Sequence, residues 1–136
     1  MYHKLMMENH LIFTKKVFEQ LAERNLSSGQ PKVLEYLKEH DGSVQKDIAI
    51  ACKIEPATVT SLLIRMEKNG LVQRKLNNEN RKYLNVFLTE KGEEEVTHVE
   101  KAFTTIENTA LCNFTDDEKE QFIKYLERVN NNLKRV

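Results

Sequence analysis

Apolar residues recur at helical spacing along most of this chain. Between His3 and Arg24, Met7, Leu11, Phe18 and Leu21 stand among Lys and Glu and predict a first amphipathic helix. In the next segment, Leu26-Ser27-Ser28-Gly29-Gln30, Ser27 can cap a helix start and Gln30 can bond back to it, with Leu26 as a staple. Val33, Leu34 and Leu37 give the buried face of that second helix, which ends near His40 before an Asp41-Gly42 turn. Ser43 is expected to cap a short third helix with Val44, Ile48 and Ala51 inward. Glu55-Pro56 opens a fourth, because proline suits the first helical position, where no N–H donor is needed. Val59, Leu62, Leu63 and Met66 form its apolar face, and Asn69-Gly70 stops it. Two short helices joined by about three residues predict a helix-turn-helix.

The period then changes. Leu71 to Lys75 and Tyr83 to Leu88 are rich in β-formers, and Asn77-Asn78-Glu79-Asn80 between them is turn chemistry. A hairpin with a polar tip carrying Arg81 and Lys82 follows. From Glu90 onward helical spacing returns at Val96, Val99, Phe103, Ile106 and Ala110. Thr115 to Glu118 reads as a second capping box, and Phe122, Leu126, Val129 and Leu133 mark the stripe of a last helix. The fold expected is mainly α with a small β-hairpin wing. It is a winged helix-turn-helix over residues 27–92 within a single domain of residues 1–136, flanked by dimerisation helices at 1–25 and 93–136. Apolar stripes on both terminal segments suit packing against a second copy, so a homodimer is expected.

Composition narrows the function. The chain has 136 residues, 40% apolar and 31% charged, with only 4 Gly and 2 Pro, which leaves little room for an all-β fold. Formal net charge is zero, but its distribution is uneven. From Ser43 to Gly92 nine Lys/Arg face five Asp/Glu, whereas from Glu93 to Val136 six face ten. A basic middle beside an acidic tail is what a protein meeting phosphate with one part would carry. Cys52 and Cys112 form neither a metal spacing nor a disulfide framework. The charges in the first 21 residues exclude a signal-peptide core, and no run is long enough for a membrane span. A reducing cytoplasm is the expected compartment. No Ser-His-Asp order, glycine-rich phosphate loop or paired carboxylates stand out, so neither an enzyme nor a cofactor is expected. His3 and His10 can share a helix face but lack a carboxylate at i+3 or i+4 to complete a metal site.

The fourth helix carries the candidate chemistry. Thr58, Thr60, Ser61, Arg65 and Lys68 lie off its apolar stripe, small hydroxyls first and cations after. A helix entering a major groove needs that order: short side chains approach base edges, and a cation such as Arg65 reaches a guanine or a phosphate. The preceding helix offers Gln45, Lys46 and backbone N–H groups to a phosphate. Beyond it, Arg81 at the hairpin tip is suited to a minor groove, with Arg74, Lys75 and Lys82 as flanking phosphate contacts. Double-stranded DNA is therefore the expected partner.

These residues resemble a known family. Leu26-Ser-Ser-Gly-Gln30, Val33-Leu34, Ala57-Thr-Val-Thr-Ser61, Met66-Glu-Lys-Asn-Gly-Leu-Val72, Arg74, Asn80-Arg-Lys82 and Leu88-Thr-Glu-Lys-Gly92 are similar to the motifs of the MarR family of transcriptional regulators. The resemblance implies a homodimeric regulator, in most cases a repressor, on a pseudo-palindromic operator, released by a small phenolic or lipophilic effector. One position departs: where the family usually has Asp-Arg-Arg, this chain has Asn80-Arg81-Lys82, which removes an ion-pair partner for the wing arginine and weakens the expected wing contacts. Two other readings remain open at this level. A winged helix can serve as a protein-interaction module, and Ile64 is the residue that leans that way. A thiol-based redox regulator is the other, since Lys53 lies beside Cys52.

Overall fold

The computed structural model describes residues 1–136. The order is α1 (Tyr2–Gln20), a 3-10 turn (Ala22–Arg24), α2 (Gln30–Glu39), α3 (Gln45–Cys52), α4 (Pro56–Lys68), β1 (Val72–Leu76), β2 (Leu84–Leu88), α5 (Glu90–Ala110) and α6 (Asp116–Lys134). The chain divides into two compact units, Met1–Phe103 and Thr104–Val136.

The first unit is built on one core. Val33, Leu34 and Leu37 of α2, Ile48 and Ala49 of α3, and Val59, Leu62, Leu63 and Met66 of α4 are buried together with Val72 and Val86 of the strands and Val96 and Val99 of α5. These are the apolar positions of the helical stripes, with one correction. In α3 the inward residues are Ile48, Ala49 and Cys52, while Ala51 is exposed and Val44 only half-buried. Ala51 lies on the outer side because it stands about 100° round the helix from the centre of the face formed by Ile48, Ala49 and Cys52. The N-cap position of α3 is Val44, without a side-chain bond. The Ser43 hydroxyl instead donates to the His40 carbonyl at 2.6 Å, closing the preceding turn.

The start of α2 also departs from a full capping box. Only half of it forms: the Ser27 N–H donates to Gln30 Oε1 at 3.4 Å, while the buried Ser27 hydroxyl has no partner. Gly29, at φ +90°, precedes the helix, and a Cβ there would press on Leu62, so the close approach of the α2 start to α4 depends on glycine. The later box is complete, with Thr115 and Glu118 bonding reciprocally at the head of α6.

The end of α4 forms a tight cap. The Gly70 N–H reaches the Glu67 carbonyl and the Leu71 N–H the Met66 carbonyl, with Gly70 at φ +77°. This pair of bonds is a Schellman motif, and it turns the chain directly into β1. β1 and β2 pair antiparallel from Val72↔Leu88 to Leu76↔Leu84. The turn after α2 joins the other edge of β2: the Gly42 N–H donates to the Val86 carbonyl, and the Val86 N–H donates to Ser43.

The segment Leu88-Thr89-Glu90-Lys91-Gly92 fastens α5 to this frame. The Thr89 hydroxyl accepts the Gly92 N–H and donates to the Gly70 carbonyl, and Lys91 Nζ donates to the Asn69 carbonyl. Arg24, after α1, holds the buried Glu95 of α5 through both Nε and Nη2. Glu95 is only 7% exposed, so removing the arginine would leave an unpaired buried charge. On α1 only Val17 is buried, while Tyr2, Leu5, Met7, Leu11 and Ile12 are exposed.

In the second unit α6 has no buried residue. Leu126 and Val129 of its predicted stripe are half-buried, whereas Phe122, Ile123, Tyr125 and Leu133 are exposed. Phe114 meets Phe122 edge to face at 6.2 Å. No helix is long and apolar enough to cross a membrane.

Gly92 tests this packing. A Cβ at that position would collide with the carbonyl oxygen of Leu71, a backbone atom that already accepts the Thr89 N–H. Gly92→Ala should therefore destabilise the protein by about 1–3 kcal/mol in urea unfolding, as overpacking does. A variant as stable as the wild type would show that the contact relaxes freely.

Candidate nucleic-acid interface

The outward side of α4 is sorted by helix geometry. Residues seven apart are separated by about two turns and share a row. Val59, Leu62, Leu63 and Met66 take the inner face. Opposite them, Ala57, Ser61, Ile64 and Lys68 step by four, three and four residues, and all are exposed. Thr60 and Glu67 flank this line on one side, and Thr58 and Arg65 on the other.

The Thr60 flank is tied to its neighbours. Glu67 accepts the Arg74 backbone N–H at 3.0 Å and its Nη2 at 3.1 Å. Arg74 Nη1 reaches Gln45 Oε1 at 3.2 Å, and Gln45 Nε2 lies 3.4 Å from the Thr60 hydroxyl. Thr60 in turn donates to the Pro56 carbonyl. One network thus joins the start of α3, the outer flank of α4 and the first turn of β1. Arg74 is only 18% exposed on its side chain and is spent on these bonds, which departs from its expected place as a flanking phosphate contact. Its position two residues into β1, on the half-buried side of the strand, turns it inward.

The opposite flank borders a crevice of about 370 Å³ lined by Phe18, Leu21, Asn25, Ser27, Gln30 and Arg65 among others. Arg65 is exposed at its rim, and the unpartnered Ser27 hydroxyl belongs to its wall.

The wing is organised by asparagines. Asn77 Oδ1 accepts the N–H groups of Glu79 and Asn80 at 2.9 Å, and Asn80 Oδ1 accepts the Lys82 N–H at 3.1 Å. Asn77 Nδ2 donates to Asn85, whose own amide donates to the Gly42 carbonyl. The side chain at position 80 therefore braces the loop as a hydrogen-bond acceptor, a role that needs no charge. Arg81 and Lys82 stand exposed at the tip, and Lys75 lies over the Phe87 ring at 5.3 Å. The ion pairs of the chain are Lys16–Glu19, Arg24–Glu95, Lys38–Glu100, Glu67–Arg74 and Glu120–Lys124. Lys46, Arg65, Lys68, Lys75, Arg81 and Lys82 are in none of them, and all six are exposed.

Glu67 is the residue that the sequence reading passed over. Its signal was available: on the helical wheel it shares a flank with Thr60, away from the charge-bearing line. Cys52 is buried, and burial pushes its thiol above the usual value while Lys32 pulls it the other way more weakly. A raised thiol holds little thiolate at neutral pH, and Lys53, with the left-handed φ of +56° that ends α3, does not figure among the influences on it.

Two measurements check this chemistry. Arg74, through its backbone N–H and then its guanidinium, holds the Glu67 carboxyl below its usual 4.5. A depressed carboxyl contributes stability above its unfolded value and loses it as pH falls through the folded one. The wild type should therefore lose this contribution on acidification below about pH 4.5, and Glu67→Gln should show a flatter acid limb in pH-dependent unfolding. Superimposable limbs would count against the ion pair. Separately, Cys52 should resist iodoacetamide at neutral pH until the protein is unfolded, read by mass spectrometry. Rapid native labelling would restore the redox reading.

A family model described as the MarR family matches residues 26–83. The HTH-type transcriptional regulator YwoH of Bacillus subtilis is 34% identical over 111 residues, which are 82% of this chain and 80% of that protein. The HTH-type transcriptional repressor YetL of the same organism is 29% identical over 108 residues, 77% of this chain and 64% of that protein. Among solved structures, the S. aureus MepR–DNA complex superposes with a TM-score of 0.86 at 27% identity, covering 98% of both chains. The winged helix is thus that of a transcriptional regulator, and the chain belongs to the MarR family.

Proposed function

We propose that this protein is a homodimeric repressor of the cytoplasm that binds a pseudo-palindromic DNA operator through α4 and the wing. The observation that carries the reading is the exposed line of α4, which ends in Lys68 and is bordered by Arg65, neither of them held in an ion pair. Ser61 and Lys68 on that line, with Thr58, Thr60 and Arg65 beside it, face the major groove. Lys46 at the start of α3, together with Lys75 and Lys82, contacts phosphates, and Arg81 enters the minor groove. Arg74 and Gln45 act through position: they hold α3, α4 and β1 in register and leave Thr60 at a fixed place. The apolar faces of α1 and α6 support the dimer, since side chains such as Leu5, Ile12, Phe122 and Leu133 are exposed in the single chain and a second copy would cover them. Residues 1–25 and 93–136 are its dimerisation segments and 27–92 its DNA-binding region.

The crevice at Ser27 and Arg65 supports the effector reading. A small phenolic or lipophilic molecule would place its apolar body on Phe18 and Leu21 and its polar end at Asn25 and Arg65 on the rim. Occupancy there meets Arg65, on the flank of the DNA-facing helix.

Binding to duplex DNA over a salt series tests the function. Two chains should bind per duplex, with affinity falling about a thousandfold or more between 50 and 200 mM salt if six or more phosphates are contacted. Lys82→Ala should reduce the slope of log affinity against log salt by about one. An affinity indifferent to salt would leave the protein-interaction reading in its place.

A further inference from the structure

We propose that Ile64 is a specificity-determining residue that reads thymine, by packing against a C5 methyl group in the major groove. The assignment rests on the DNA-binding reading and goes beyond it, because it names a base class that the operator must present.

Four observations converge on Ile64. It occupies the middle of the outward line of α4, between Ser61 one turn before and Lys68 one turn after, and not one of the flanks. It is 50% exposed, in a helix whose other large apolar residues, Leu62, Leu63 and Met66, are all buried. The remaining outward and flanking groups are a methyl at Ala57, hydroxyls at Thr58, Thr60 and Ser61, and cations at Arg65 and Lys68. Finally, the network of Glu67, Arg74, Gln45 and Thr60 holds one side of the same helix in place.

The chemistry of the partner follows. A protein partner would need a contiguous apolar patch of several hundred Å². Here a single large apolar side chain is ringed by hydroxyls and positive charge, which fits a polyanion carrying isolated apolar groups. In a major groove the isolated apolar group is the thymine C5 methyl, which stands beside the O4 acceptor; guanine, adenine and cytosine present no methyl, only donors and acceptors. Isoleucine can satisfy none of those, so it would leave them desolvated and unpaired opposite any other base. Its β-branch fixes χ1 in a helix, so the side chain meets the groove in one orientation and loses little freedom on contact. Ala57 stands seven residues earlier on the same line, about 10.5 Å along the axis.

The test uses the full-length protein and a duplex selected by it from a random library. Each thymine in the selected site is replaced singly by deoxyuridine, which removes the methyl and preserves base pairing. At one position in each half-site the replacement should weaken wild-type binding about three- to fivefold, the worth of one buried methyl group. That penalty should vanish in Ile64→Ala and persist in Ile64→Val, with both variants folding as stably as the wild type because the side chain is outside the core. A wild type insensitive to every uracil replacement would overturn the assignment, as would a penalty unchanged in Ile64→Ala. Failure of the library to yield any bound duplex would instead remove the DNA-binding reading on which the assignment rests, and the two failures are therefore distinguishable.

Discussion

The bonds of Arg74 are the constraint on which the interface depends. A recognition helix is useful only if its outward line is held at a fixed rotation relative to its neighbours, and apolar packing alone is forgiving of small rotations. Arg74 removes that freedom by reaching two elements at once, Glu67 on α4 and Gln45 on α3, from a strand that is itself paired. The guanidinium suits this role because its planar fork offers several donors in fixed directions. Lysine would supply charge without the geometry. The buried Nε without a partner is a local cost of turning the group inward.

Around that clamp the fold is joined by a run of backbone caps. The Schellman end of α4 leads into β1 without an intervening loop, and the same carbonyls and N–H groups near Gly70 and Leu71 receive Thr89 and Lys91 from the start of α5. The recognition helix, the wing and α5 thus meet at a few residues. The wing loop itself is held by amide side chains that bond to backbone, a local device that works without charge and so is indifferent to salt.

Much of this was legible before any coordinates. Long stripes such as Val59-Leu62-Leu63-Met66 and the proline and glycine bracketing α4 specify element type through periods and caps that are local in sequence. The misreadings share another cause. Ser43 looks like a cap, but its hydroxyl is taken by the His40 carbonyl, and the edge pairing of Gly42 and Ser43 with β2 decides where α3 begins. The inward turn of Arg74 and the role of Glu67 rest on contacts between elements seven to 29 positions apart, which charge counting cannot distinguish from a solvated face. Asn80 shows both sides of one exchange: it keeps the acceptor that Asn and Asp share and braces the loop with it, while Arg81 is in no ion pair.

The close approach of Gly92 to the Leu71 carbonyl has a mechanical consequence. With no side chain between them, the first turn of α5 and the entry to β1 have no layer on which to slide. A displacement of α5 at this point would therefore be passed directly to the entry of β1 and to the cap of α4 that leads into it.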